Sequence, residues 1–171
     1  MIILVFAVIY ILLFSIQTSL LSIFSVNGIT LDLALILAVY CGVLLKEERG
    51  VWVGFSIGLI QDCLSGGLLG VNTLSKSIIG FTFSSLKDKL MVIGFVPISV
   101  ILLASSFFDG LVYYLLMITL LKAQIPFSFL FNTLPVYAMY NALIGPILFF
   151  FINWSRKLVV RKFPILEGPR K

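Results

Sequence analysis

KEERGVWVGFSIGLIQD, residues 46–62, sets the scale on which this chain is read. Lys46, Glu47, Glu48 and Arg49 stand together, and the stretch that follows is uncharged until Asp62. The same alternation runs through the whole sequence: Lys87-Asp88-Lys89 and the tail from Arg156 are further charged clusters, with long uncharged stretches between them. Charge confined to short connections between apolar runs is the pattern of a polytopic membrane protein whose loops are marked by their own side chains.

Composition agrees. Apolar residues make up 61% of the chain and charged residues 11%, against roughly 45–50% and 25% in soluble domains. At ~20 residues per crossing, 171 residues hold about six transmembrane helices. The expected fold class is therefore all-α, a single integral domain over residues 1–155 with a basic cytoplasmic tail over 156–171. No soluble catalytic or sensory module is expected within these residues, and any such domain is expected to belong to a partner. Half of the twelve basic residues lie in the last sixteen positions, and a basic tail at a membrane boundary points to anionic lipid headgroups rather than nucleic acid. Histidine is absent, which removes the commonest general base, metal ligand and pH switch. Cys41 and Cys63 fall on different apolar segments without histidines or clustered carboxylates, so they read as packing residues and not as a zinc site. No cofactor, metal or enzymatic activity is expected.

The first apolar run, Ile2 to Phe24, lacks a preceding basic region and reads as a retained helix. A second runs from Leu31 to Leu45, short for a span. Gly50 to Leu64, the glycine turn at Ser65-Gly66-Gly67, and Leu68 to Leu86 follow. The run after Lys89 reaches Leu121, longer than a ~30 Å hydrocarbon core requires, with Pro97 as the expected place for a bend. Lys122 to Pro135 reads as an interfacial connection, and Val136 to Trp154 as the last span. With both termini cytoplasmic, the clusters at Lys46–Arg49 and Lys87–Lys89 and the tail all face inward, and Lys122 is the one basic residue in an outer connection, as the positive-inside rule requires. Arg156, Lys157, Arg161 and Lys162 would then lie against the inner leaflet.

Two constellations stand out. Gly50, Gly54 and Gly58 recur every four residues, and Ala34 and Ala38 do the same on the preceding span; such stripes let a second helix approach closely, either within the chain or from a partner. The second constellation is polar. Asp32, Gln61, Asp62, Asn72, Lys76 and Asp109 fall at one depth, toward the outer leaflet in this orientation. A charge near hydrocarbon costs roughly 3 kcal/mol or more unless paired or solvated. Lys76 is the single cation among them, with Asp62 or Asp109 as its expected partner; the cluster could be an internal ion pair, a ligand pocket or a socket for a partner's segment.

The order from Leu31 to Phe81, with Asp32, Tyr40 and Gly42, the charged turn ending in Arg49, Gly50, Gly54 and Gly58, Gln61-Asp62, Gly66-Gly67, Gly70-Val71-Asn72 and Gly80-Phe81, resembles the rod shape-determining protein MreD family. One departure is Leu31, where that family often has proline before the aspartate. The resemblance implies a non-enzymatic scaffold subunit of the bacterial elongation complex in the cytoplasmic membrane. It would support cell shape and peptidoglycan synthesis through MreC, a single-span protein, alongside MreB, RodA and a class B penicillin-binding protein. The alternative is the substrate-binding subunit of an energy-coupling-factor transporter for a vitamin or metal. Those subunits meet their partner through small residues on the first helix, whereas here that helix has Ala7 as its only alanine and the stripe lies at Gly50–Gly58.

Overall fold

The computed structural model describes residues 29–45, 47–66, 68–86 and 94–162, without the side chains of residues 47, 48, 121 and 156–162. The first apolar run, Lys46 and the Lys87–Lys89 cluster lie outside the described residues. The fold is all-α. Among the described residues five helices follow one another: α1 (Leu33–Leu44), α2 (Glu47–Ser65), α3 (Val71–Leu86), α4 (Phe95–Leu121) and α5 (Leu134–Lys162), the last entered through a π-helical turn at Phe129–Thr133.

α1 starts where Asp32, in extended conformation, accepts the Leu35 N–H at 3.0 Å and so caps the first turn. Its sequence is apolar on every side, and it is buried accordingly: Ala34, Leu35, Ile36, Ala38, Val39, Tyr40 and Gly42 are all covered. The helix is central, touching α2, α3, α4 and α5. Leu35, Ile36 and Val39 meet Ile79 of α3, Ile98 and Leu102 of α4 and Phe149 of α5 in the main core, where Tyr40 and Phe149 pack edge to face with centroids 4.9 Å apart.

The glycine stripe is used inside the chain. A methyl group at Gly50 would meet Ser84 and the Gly80 carbonyl, one at Gly54 the Lys76 carbonyl, and one at Gly58 the backbone of Asn72 and Thr73. α2 and α3 are thus an antiparallel pair in backbone contact, with Gly80 closing against Gly50 from the other side. Ala34 and Ala38 pack with Ile57 of α2. The turn between α2 and α3 depends on left-handed backbone at Gly66 (φ 64°) and Gly70 (φ 107°), which L side chains rarely adopt.

α4 and the stretch Phe129–Ser155 are long and apolar enough to cross a membrane by length and composition; Leu33–Leu44 is apolar but shorter. Pro97 is the third residue of α4, inside the first turn, where a missing N–H breaks no intrahelical bond. It starts the helix instead of bending it, which corrects the expectation from sequence. The connection between α4 and α5 is also shorter than Lys122 to Pro135. Lys122 ends α4 in left-handed conformation, and helical backbone resumes before Pro135 through the π-turn, in which the Leu134 N–H reaches the Phe129 carbonyl. A proline ring clashes with the carbonyl four residues back, and the widened turn just before Pro135 provides the room. At its other end α5 continues past Trp154 to Lys162, so the backbone shows no break at residue 155.

Exposure is inverted relative to a soluble domain. Trp52, Val96, Val100, Leu115, Phe131, Leu143, Ile147 and Trp154 are exposed, while Asp32, Asp62, Lys76, Ser75, Ser106, Asp109 and Asn141 are buried. Apolar outside and polar inside is the arrangement that lipid selects.

Candidate functional site

The buried polar groups converge at one end of the bundle, where α1, α3 and α5 begin and α2 ends. Lys76, on the second turn of α3, is fully buried. Its ammonium has three hydrogens and three partners: Asp32 Oδ2 at 3.0 Å, Asp109 Oδ1 at 2.8 Å and Asn72 Oδ1 at 2.8 Å. Two carboxylates from α4 and the start of α1 therefore hold one cation from α3.

The carboxylates are themselves held. Asp32 Oδ1 caps α1 and accepts from Gln61 Nε2 at 3.3 Å, and the Asp32 N–H donates to Asn141 Oδ1 at 3.0 Å. Asp109 Oδ1 also accepts from the Ser75 hydroxyl. Tyr137, on the first turn of α5, sets its hydroxyl 3.0 Å from Asp109 Oδ2 and 3.2 Å from Asp32 Oδ2. That hydroxyl has one hydrogen to give to two carboxylates.

Asp62 has a different task from the one its spacing suggests. It makes no ion pair with Lys76. Its two oxygens accept the backbone N–H groups of Gly70, Asn72 and Thr73 at 2.9–3.0 Å, the Asn72 side-chain amide at 3.0 Å and the Thr73 hydroxyl at 2.6 Å. α3 follows Gly70, which has no side chain to serve as a cap, so the free N–H groups of its first turn are satisfied by a carboxylate from the end of α2. Asn72 connects the two systems, donating to Asp62 and accepting from Lys76.

Asp32, Gln61, Asp62, Asn72, Lys76 and Asp109 are thus brought into one hydrogen-bonded network. Sequence reasoning missed Ser75, Tyr137 and Asn141. The available signal was the four-residue spacing of Tyr137 and Asn141, which puts both on one face of an apolar helix. Gly50, Gly54, Gly58, Ala34 and Ala38 are engaged within the chain, below this network. The side chains of Arg156, Lys157, Arg161 and Lys162 lie outside the described residues.

A cavity of about 490 Å³ opens beside the network. Asp32, Asn72, Asp109 and Tyr137 are among its polar lining, and Leu68, Val71, Met117, Phe129 and Leu134 among its apolar walls. Among the described residues no group of three or more potential ligands is placed to hold a metal ion.

A family model described as rod shape-determining protein MreD matches residues 1–158. Neither a curated protein nor a solved structure matches the chain. The transporter-subunit alternative gains no support from these comparisons.

Proposed function

This chain belongs to the rod shape-determining protein MreD family, a membrane protein family with a role in rod shape, and from that premise we propose that it is a non-enzymatic scaffold subunit of the bacterial elongation complex. It sits in the cytoplasmic membrane with six spans and both termini inside. It acts through an MreC-like single-span protein, and through that partner serves the wider assembly of MreB, RodA and a class B penicillin-binding protein. The basic tail, including Arg156, Lys157, Arg161 and Lys162, rests against the anionic inner leaflet.

The observation that carries this reading is the family match over residues 1–158. The fold supports it physically. Internal contacts occupy the glycine stripe and the charged network, while large side chains such as Trp52, Phe131 and Trp154 remain on the outside. A chain built this way offers membrane-embedded faces to other helices, and its network fixes how those faces are arranged.

The test is depletion of the protein combined with affinity capture of the full chain from solubilised membranes. Cells should lose rod shape, and the MreC-like partner should be recovered with the tagged chain. Rods of normal width after depletion, or capture without that partner, would refute the scaffold role.

A further inference from the structure

Among the described residues the charge of the network does not close. Asp32 and Asp109 carry two negative charges, Lys76 carries one positive charge, and Asp62 is occupied by three backbone N–H groups and two side chains of its own. Lys122, at the end of α4, is exposed and outside the network. Asp32 and Asp109 are 7% and 8% exposed, and both present Oδ2 to the single hydrogen of the Tyr137 hydroxyl. Asp32 Oδ2 also accepts from Lys76, so the hydroxyl hydrogen can serve Asp109 Oδ2 and the imbalance is one of charge.

This excess of one negative charge lies on the wall of the cavity, since Asp32 and Asp109 both line it. About 490 Å³ is within the ~300–1,000 Å³ of small-ligand sites, which pair apolar walls with a few convergent polar groups. The apolar walls formed by Leu68, Met117, Phe129 and Leu134 suit a methylene stem and do not suit a hydrated inorganic ion.

We propose that this cavity binds a group with one positive charge on an apolar stem, an ammonium or guanidinium, with Asp32 and Asp109 as its charge partners. Two sources share that chemistry: a lysine or arginine side chain of the complex partner, and a soluble alkylamine. The partner source rests on the scaffold reading; the site itself does not.

The experiment uses the full chain in detergent micelles, with n-butylguanidinium and n-butylammonium as probes, and n-butanol and sodium chloride at matched concentration as controls. The cationic probes should raise Tm saturably, because a ligand that binds only the folded state stabilises it, and the controls should not. Asp109→Asn, which neutralises the excess charge, should weaken both probes at least about ten-fold. Met117→Trp narrows the cavity away from the ion pairs and should abolish the response even if Asp109→Asn fails to fold. The proposal is overturned by an equal response to butanol, by reproduction of the effect with sodium, by survival of the response in both variants, or by no response at all. No response together with a higher Tm for Asp109→Asn would mean that a proton fills the site. In the supporting case, loss of partner capture by Asp109→Asn assigns the cation to the partner, and capture that persists assigns it to a soluble amine. Because the probe measurement needs no partner, its failure and that of the scaffold reading are distinguishable.

Discussion

Replacing Lys76 with Gln should be among the most damaging single changes in the chain, and its rescue is specific. The ammonium accounts for two ion pairs, at 3.0 and 2.8 Å. Without it, the Asp32 and Asp109 carboxylates face each other across the Tyr137 hydroxyl, to which both lie within 3.2 Å. Two oxygens against one atom at those distances are at most about 6 Å apart, and two unit charges at that separation repel by about 3 kcal/mol at an effective dielectric constant of 20. That agrees with the roughly 3–5 kcal/mol lost when one partner is removed from a buried ion pair. Adding Asp109→Asn to Lys76→Gln removes the repulsion, so the double variant should recover about 2–3 kcal/mol relative to the sum of the single losses. Asp62→Asn should give much smaller coupling to Lys76→Gln, since they are linked through Asn72 and not paired directly. The assay is a double-mutant cycle on thermal unfolding of the purified protein, with membrane abundance as a second reading. Additive losses for Lys76 and Asp109, or equal coupling to Asp62, would refute the geometry.

Three further outcomes follow from separate parts of the fold. Gly54→Leu should lower thermal stability and abundance by separating α2 from α3, since even a methyl group there meets the Lys76 carbonyl; overpacking of this kind typically costs ~1–3 kcal/mol, whereas Trp52→Leu, on the exposed face, should be nearly neutral. Asp62→Asn presents an amide donor to backbone N–H groups and should cost about 1–3 kcal/mol, with increased hydrogen exchange at Asn72 and Thr73. Membrane-impermeant thiol labelling, with Cys41 and Cys63 replaced by Ser, should reach Gln124→Cys from outside and miss Asp88→Cys; outside labelling at position 88 would overturn the six-span orientation.

Much of the architecture is legible because lipid makes the pattern coarse. Charge clusters such as Lys46–Arg49 have to lie near water, and long apolar runs have to become helices, so α2 and α4 could be placed without tertiary information. The common depth of Asp32, Lys76 and Asp109 followed from helix direction alone. Pairing within the network was harder to read, since it depends on rotation about each helix axis. Asp62 and Lys76 are joined by a short turn, but Asp62 is drawn to the uncapped first turn of α3, leaving Lys76 to the more distant Asp32 and Asp109. The clue was local: α3 begins after Gly70, a residue with no side chain to cap it. Pro135 posed a similar difficulty. It reads as a break, yet the π-turn before it keeps the helix going, a backbone solution that leaves little trace in hydrophobic periodicity.

The network also explains how the fold can be unique in a solvent that offers little help. Lipid chains are about as apolar as leucine, so apolar contact between helices gives weak discrimination among their possible arrangements. Close backbone approach at Gly50, Gly54 and Gly58 fixes α2 against α3, but it says nothing about α4 or α5. The ion pairs supply the missing information. Lys76 can satisfy all three hydrogens only when Asp32, Asn72 and Asp109 arrive together, and Tyr137 brings α5 to the same point. A rotation of α4 by one residue, about 100°, would carry Asp109 away from the cation and leave charges in hydrocarbon. The polar groups therefore make one arrangement much cheaper than its neighbours, and the exposed apolar faces acquire fixed relative positions without polar side chains of their own. Variants inside the network should accordingly reduce the amount of folded protein, whereas variants on those faces should change only what assembles with it.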